Sequence, residues 1–393
     1  MKGARATIDY VLKHNVILSK IFRGLVGFLF RCIGLFYPIR EKTVLFTAHN
    51  RGYNDSSKAI YERMLSDKRF VGFKYYWGLE DPSIDIPGNP IKIKADTWKY
   101  FRTAFSCQYW ITCVNIERSL RFKKKKQIYL NTDHGVTIKT CGNDAVGRKD
   151  YDFHYINYYC VSGNYEREMY LRVFNLNPHS IIPTGLPRND ELYHISSDEI
   201  FEIKKRLGLG NKKIILYAPT WRDSTDIGKT YTIAPPITIE KWQEKLGEEY
   251  VLLLRAHPYT TKLLGIQFNE FIRDFSSYNN VNDLIKITDI LISDYSAIIF
   301  DYSITERPIF CFAYDYDDYS MNRGLALDLK SEFPGGIVQE EDELISRIIN
   351  IEYETACEGI RKFKNKYIEY GGNATELCID YVFGKNSQSE EKS

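Results

Sequence analysis

One stretch, residues 287–315 (ITDILISDYSAIIFDYSITERPIFCFAYD), constrains the fold more than any other. It reads as a buried apolar strand over 290–293, a polar turn over 294–296 and a short helix over 297–305. After Pro308 a second apolar strand follows over 309–313. A strand that runs into a helix N-terminus through Asp-Tyr-Ser places backbone N–H groups and a hydroxyl where a phosphate can sit. In an open α/β sheet, ligands bind beyond the carboxyl ends of the strands, which is where this turn lies. A phosphate-bearing ligand is the first expectation. Asp294 and Ser296 are also ordinary capping residues, so a purely structural turn is the alternative.

The same alternation runs through the body of the chain. Strands are expected over 43–49, 73–79, 90–95, 108–114, 127–135, 158–163 and 180–185, with helices beginning at Lys58 and over 97–104 and 165–174. A charged helix within 196–213, ending at Gly208 or Gly210, leads to a strand over 213–222, a helix around 239–246 and a strand over 251–258. Strands alternating with helices predict parallel sheets covered on both faces. At 393 residues the chain is too long for one ordinary core. The expected architecture is α/β and GT-B-like. Rossmann-like domains over 43–205 and 206–384 face a cleft, and a disordered polar tail covers 385–393.

Residues 1–42 stand apart. Lys2, Arg5, Lys13, Lys20, Arg23, Arg31, Arg40 and Lys42 face only Asp9 and Glu41, with apolar and aromatic residues between them. The longest apolar run, 24–30, falls far short of the roughly 20 residues that span a bilayer, and no small-residue cleavage site follows it. A basic, aromatic-rich amphipathic helix in the membrane interface is expected, attracted to anionic lipid on the cytoplasmic face. An ordinary first helix packed on the domain is the alternative.

Composition excludes several classes. A formal net charge of +2 argues against a nucleic-acid coat, so no nucleic-acid partner is expected. The eight Cys are scattered without CxxC or Cys/His spacing, which speaks for reduced thiols and against structural zinc. There is no GxxxxGK[ST], GxGxxG after a strand, HExxH or GxSxG, so ATPase, dehydrogenase and serine hydrolase readings are weak.

Polar groups recur just after the apolar runs: His134-Gly135, Gly185 to Asp190, Thr220 to Asp223, Arg255 with His257, and Asp294 with Ser296. In parallel sheets all of them gather at strand C-termini. They are His, Arg, Thr and Ser rather than clustered carboxylates, which suits a polyphosphate better than a metal cage. His134, preceded by Asp133 and followed at a helical turn's distance by Lys139, suits general-base activation of a hydroxyl; a turn histidine capped by Asp133 is the alternative. His257 beside Arg255 suits an anionic leaving group, or is a satisfied loop histidine. Arg222 and Arg188 read as phosphate or carboxylate binders, or as structural interdomain salt bridges.

Together these motifs resemble the CDP-glycerol glycerophosphotransferases of Gram-positive teichoic acid synthesis. The segments that carry the likeness are FTAHNRGYNDSSKAIYE, NTDHGVTIKTCGND, PTGLPRNDEL, YAPTWRD, RAHP and ISDYSAIIFDYSITERPIFCFAYDYDDYSMNRGLALD, in order from Phe46 to Asp328. The resemblance implies peripheral association with the inner leaflet and transfer of an alditol phosphate from a CDP-activated donor. It assigns the 43–205 domain to the acceptor and the 206–384 domain to the donor.

It further implies that His134 is the catalytic histidine and His257 a second essential one, with Arg222, Ser296 and Asp301 around the donor. Arg255, Thr220 and Asp294 would join the donor site, with Asp133, Lys139, Arg188 and Arg323 in support. One departure is visible: the family carries Trp before His-Gly, where this chain has Asp133. Asp133 could orient His134 and raise its basicity, or accompany a changed acceptor or donor. The implied donor is CDP-glycerol or CDP-ribitol, with no tightly bound metal or other cofactor. The acceptor is a lipid-linked saccharide or polymer of teichoic acid or capsule type, and homo-oligomerisation is left open. A nucleotide-sugar glycosyltransferase and an inactive membrane-bound scaffold are the competing readings.

Overall fold

The structure, a computed structural model, describes residues 15–145, 151–220, 222, 235–256 and 266–384. The chain divides into two compact units. The first holds the described residues of Met1–His134, Cys141–Asp190 and Tyr370–Ser393, and the second those of Gly135–Thr140 and Glu191–Glu369.

The first unit opens with helix α1 (Val16–Leu35) and continues through β1 (Arg40–Thr47), α2 (Asp55–Ser66), β2 (Lys74–Leu79), β3 (Ile91–Lys94), α3 (Trp98–Ser106) and β4 (Cys107–Thr112). Strand β5 (Ile128–Asn131), β6 (Tyr158–Cys160), α4 (Asn164–Val173) and β7 (Ile181–Ile182) follow. The seven strands form one sheet in the order β3-β2-β1-β4-β5-β6-β7, and every pairing is parallel. Side chains alternate across it with the period of two that a strand imposes. Val44, Phe46, Tyr109 and Ile111 join Ile60, Tyr61 and Met64 of α2 on one face. Leu45 and Trp110 join Tyr100, Ala104 and Phe105 of α3 and Met169, Tyr170 and Val173 of α4 on the other. Each fully buried Leu or Phe contributes about 1.5–3 kcal/mol, so two such layers suffice to hold this sheet.

The first face is completed by the C-terminal helix Ala374–Phe383, through Cys378, Ile379 and Val382. Asp190 holds its start: the carboxylate accepts the N–H groups of Ala374 and Thr375, each at 2.8 Å. Gly185 takes φ +75°, and a Cβ there would press on the Tyr370 carbonyl at 2.5 Å. Much of the PTGLPRND segment thus anchors the returning chain end. The units therefore differ from the spans 43–205 and 206–384: residues from Tyr370 onward belong to the first, and Gly135–Thr140 to the second.

Helix α1 starts with Asn15 accepting the Leu18 N–H at 3.0 Å. Phe30 packs on Phe101, Phe105 and Phe122, with ring centroids 5.1, 5.8 and 5.5 Å away. Its opposite side leaves Ile17, Ile21, Leu25 and Phe28 more than half exposed, at 71, 53, 67 and 62%. Among the described residues no helix is long and apolar enough to cross a membrane.

The second unit contains α5 (Ser197–Arg206), β8 (Lys213–Ala218), α6 (Ile239–Leu246), β9 (Tyr250–Leu254), β10 (Ile272–Asp274), α7 (Val281–Ile287) and β11 (Ile290–Ser293). It continues with α8 (Ile298–Ser303), β12 (Ile309–Phe312), α9 (Tyr316–Arg323), α10 (Leu329–Glu332), β13 (Ile337–Val338), α11 (Glu341–Ile349) and α12 (Tyr353–Tyr367). Its six strands are ordered β10-β9-β8-β11-β12-β13, again all parallel. Ile215, Tyr217, Leu252, Leu254, Ile290 and Ile292 pack on Trp242 of α6 and Leu344, Ile345 and Ile348 of α11. Helix α5 follows the chemistry of its ends: Ser196 caps the Glu199 N–H at 3.2 Å, and Gly208 at φ +64° stops it.

Most strands end earlier than expected, and three of them stop just short of polar residues singled out in the sequence. Strand β5 stops at Asn131, because the Asn131 side chain accepts the Asp133 N–H at 2.9 Å and Asp133 turns to φ +55°. Strand β8 stops at Ala218, with the Thr220 N–H drawn to Asp294 at 2.9 Å. Strand β9 stops at Leu254, before Arg255. The polar residues beyond these strands build turns rather than ladder.

Candidate active site

The strand order of each sheet reverses once, between β1 and β4 in the first unit and between β8 and β11 in the second. Connections leave such a pair to opposite sides, opening a crevice at the strands' carboxyl ends.

In the first unit that crevice receives His49 after β1, Cys113 after β4 and the Asp133-His134 turn after β5. The His134 Nδ1 lies 2.9 Å from Asp133 Oδ1 and 3.2 Å from the Cys113 carbonyl oxygen. Both neighbours are acceptors, so Nδ1 carries the proton and Nε2 is the nitrogen left to exchange one. Asp133 is itself fixed: its Oδ2 accepts the Tyr159 hydroxyl at 2.7 Å and its Oδ1 accepts the His134 N–H at 2.5 Å. The Asp133 charge, and then its hydrogen bond, lift His134 to a pKa of about 9 against the effect of burial. Burial pushes Asp133 up, but the His134 charge and the bonds from His134 and Tyr159 outweigh it and hold the carboxyl below its usual range. The His134 side chain is 52% exposed, so the charged ring faces solvent.

The His49 ring stacks on His134 with centroids 5.3 Å apart. Burial, and then the His134 charge, keep His49 below the ordinary histidine value. Arg188 closes the cluster: one Nη donates to Asp55 Oδ2 at 2.8 Å and to the His134 carbonyl at 2.7 Å. The Arg188–Asp55 ion pair lies within the first unit, not between domains.

In the second unit the crevice is lined by Thr220, Arg222, Asp294 and Ser296. Arg222 is almost fully buried. Its Nε and Nη2 grip Asp315 at 2.7 and 2.8 Å, a bidentate pair. Nη1 donates to the Thr220 carbonyl at 2.6 Å and lies 2.9 Å from Asp294 Oδ2. The rings of Tyr295, Tyr314 and Tyr319 surround the guanidinium at 5.0, 5.0 and 5.1 Å. Asp294 Oδ1 also accepts the N–H groups of Thr220 and Tyr295 at 2.9 and 2.7 Å. Arg222 and Asp294, expected to bind a donor directly, are thus occupied in building the turn. Ser296 Oγ accepts the Ile298 N–H at 3.4 Å, and Asp301 lies buried within α8.

The other expected residues fall elsewhere. Arg255 donates to the carbonyls of Phe275 and Tyr278 at 3.1 and 2.6 Å, because a half-buried guanidinium needs acceptors and the loop after β10 supplies them. Lys139 forms no helix with the residues before it. It pairs as an isolated antiparallel bridge with Leu325, within the second unit. Arg323 ends α9. His257 and Asp223 lie outside the described residues. Among the described residues no group of three or more His, Cys, Asp or Glu side chains is arranged to hold a metal ion.

Three residues escaped the sequence reading: His49, Asp55 and Asp315. His49 precedes and Asp55 ends the NRGYND run after the first strand, a polar turn at a strand end like the others, so position alone could have found them. Asp315 stands in an acidic-aromatic run where sequence gives no reason to prefer it over Asp317 or Asp318.

The model of the family described as CDP-Glycerol:Poly(glycerophosphate) glycerophosphotransferase matches residues 29–384. The chain is 32% identical over 368 residues to the teichoic acid poly(glycerol phosphate) polymerase of Staphylococcus epidermidis, covering 88% of this chain and 51% of that protein. It is 32% identical over 357 residues to the teichoic acid glycerol-phosphate transferase of Staphylococcus aureus, covering 84% and 90%. It therefore spans about half the length of the first and most of the second. A teichoic acid ribitol-phosphate polymerase of Staphylococcus aureus, TarK, is 28% identical over 390 residues, covering 91% and 72%. The solved structure of the wall teichoic acid polymerase TagF superposes with a TM-score of 0.80 at 28% identity, covering 98% of each chain. Running through both crevices, the match makes this chain a member of the CDP-glycerol:poly(glycerophosphate) glycerophosphotransferase family.

Proposed function

We propose that this chain moves glycerol phosphate, or its ribitol counterpart, from a CDP-activated donor to a hydroxyl of a lipid-linked saccharide or polymer end, releasing CMP at the cytoplasmic face of the cell membrane. The observation that carries this reading is the Asp133–His134 pair: a half-exposed imidazole with Nδ1 fixed by two acceptors and Nε2 left to take a proton. The acceptor hydroxyl gives its proton to Nε2 as its oxygen bonds to the donor's β-phosphorus. The bond from that phosphorus to the bridging oxygen breaks, and CMP leaves with the electron pair. Ser296 and the turn around it take a donor phosphate. Arg222 acts as a positioning residue, holding that turn through Asp294 and Asp315. His257 neutralises charge on the leaving phosphate.

Helix α1 supplies attachment, its exposed Ile17, Ile21, Leu25 and Phe28 lying in the interface. The decisive experiment offers CDP-glycerol, CDP-ribitol and UDP-sugars with a short lipid-linked acceptor, following CMP against UDP. CMP release with one CDP-alditol, lost in His134→Ala while donor binding persists, is the expected result. UDP release, or no turnover with any donor, would overturn it.

A further inference from the structure

Beside α1 the first unit carries a cavity of about 700 Å³, and its lining is cationic. Lys20, Arg23 and Arg31 come from α1, Arg121 from the β4–β5 connection and Arg172 from α4, with Asp152 the one carboxylate in the lining. Asp152 is spoken for: Oδ2 pairs with Arg121 at 2.8 Å and Oδ1 accepts the Asn175 amide at 3.0 Å. Arg172 pairs with Asp144 at 2.9 Å, from outside the lining. The wall stays net positive with both carboxylates counted. A cavity of this size walled by guanidinium forks suits a phosphate oxyanion, which they bind bidentately.

The helix that supplies three of these cations also fixes the source of the phosphate. On α1 the exposed apolar residues Ile17, Ile21, Leu25 and Phe28 recur at spacings of four, four and three, so they form one stripe. Lys20, Gly24 and Arg31 recur at four and seven along the neighbouring stripe, between that apolar arc and the packed side marked by Phe30. Cations such as Lys20 and Arg31, bordering the apolar arc that an interfacial helix turns to the lipid, lie at the depth of lipid phosphates. Resting on the membrane attachment proposed above, we infer that this cavity binds the phosphate headgroup of an anionic phospholipid, its acyl chains running along the exposed arc of α1. This site is separate from the His134 crevice and from the donor turn.

The test titrates the full chain with dihexanoylphosphatidylglycerol, below its micelle concentration, by calorimetry. Saturable binding is expected, weakened about tenfold or more in Arg31→Gln and in Lys20→Gln, as for loss of a charge-assisted hydrogen bond. Arg31→Lys should recover part of it, and dihexanoylphosphatidylcholine should not bind. Inorganic phosphate binding as tightly as the lipid would overturn the lipid source and leave a free-anion site. Flotation with phosphatidylcholine–phosphatidylglycerol vesicles tests the parent reading, with Leu25→Ser/Phe28→Ser expected to stay unbound. Flotation of the unaltered chain without saturable binding of the soluble lipid would sink the cavity proposal alone. Saturable binding without flotation would keep the site and remove the membrane attachment.

Discussion

The two crevices share a topology and differ in what they do with charge. At the β1/β4 crossing the carboxylate of Asp133 is buried, and its partner, the His134 ring, stands half in solvent. At the β8/β11 crossing the cation is the buried member, and Arg222 is enclosed by Asp315, Asp294 and three tyrosine rings. An imidazole held by one buried carboxylate keeps a second nitrogen for proton exchange. A guanidinium gripped by two carboxylates cannot change its charge, and serves to hold backbone in place. The same strand order thus yields one site poised to move a proton and one built to keep a shape.

The comparison breaks most visibly at His134. His134→Ala should lower kcat by about 10²–10⁴-fold, the usual worth of a positioned general base. Its urea midpoint should match the parent's at pH 10, where the raised His134 pKa no longer adds stability; a fall in kcat of less than tenfold would remove His134 as the base. Asp315→Ala should do the reverse, destabilising by about 3–5 kcal/mol in urea unfolding because a buried guanidinium loses its partner. If that variant unfolds like the parent, Arg222 is not the pin described above.

Asp133→Asn sharpens the contrast through pH. The neutral, proton-accepting form of His134 grows as pH rises towards about 9, so the rising limb of kcat/KM should lie there. Removing the carboxylate charge should move that limb down towards the ordinary histidine value near 6.5. A limb that stays put would show that Asp133 does not set this proton affinity. The same shift enters stability with a definite sign. A histidine pKa raised by folding stabilises fully below about 6.5 and loses that contribution as pH climbs through about 9. Thermal melts at pH 6 and pH 10 should therefore separate the parent from His134→Gln at the lower pH and bring them together at the higher. The smallest effect belongs to His49→Phe, which keeps a stacked ring and replaces an imidazole already uncharged over this range. The limb should stay where it is, with kcat changed only a few-fold; a large loss would place His49 in the chemistry itself.

Several elements could be read directly from residues. Strand β11 at Ile290–Ser293 and helix α6 at Ile239–Leu246 lie where the apolar patterning put them. The Asp133–His134 adjacency was visible as two letters, and its chemistry follows from contact between neighbours. Strands β7 and β13, of two residues each, carry no period to detect. The C-terminal helix could not be assigned to the first unit from sequence, because what holds it there is Asp190 meeting residues some 180 positions away. Arg222 could be read as a ligand-binding cation only while the partner that saturates it, Asp315, was out of sight.

Sequence alone determined the alternation of strand and helix, the parallel sheets and the placing of polar residues at strand ends, because periodicity and turn chemistry are local. Tertiary structure decided which of those residues remain available to a substrate. Availability depends on what each charge meets across the fold, and in a low-dielectric interior a carboxylate brought alongside from a distant segment outweighs any preference written nearby.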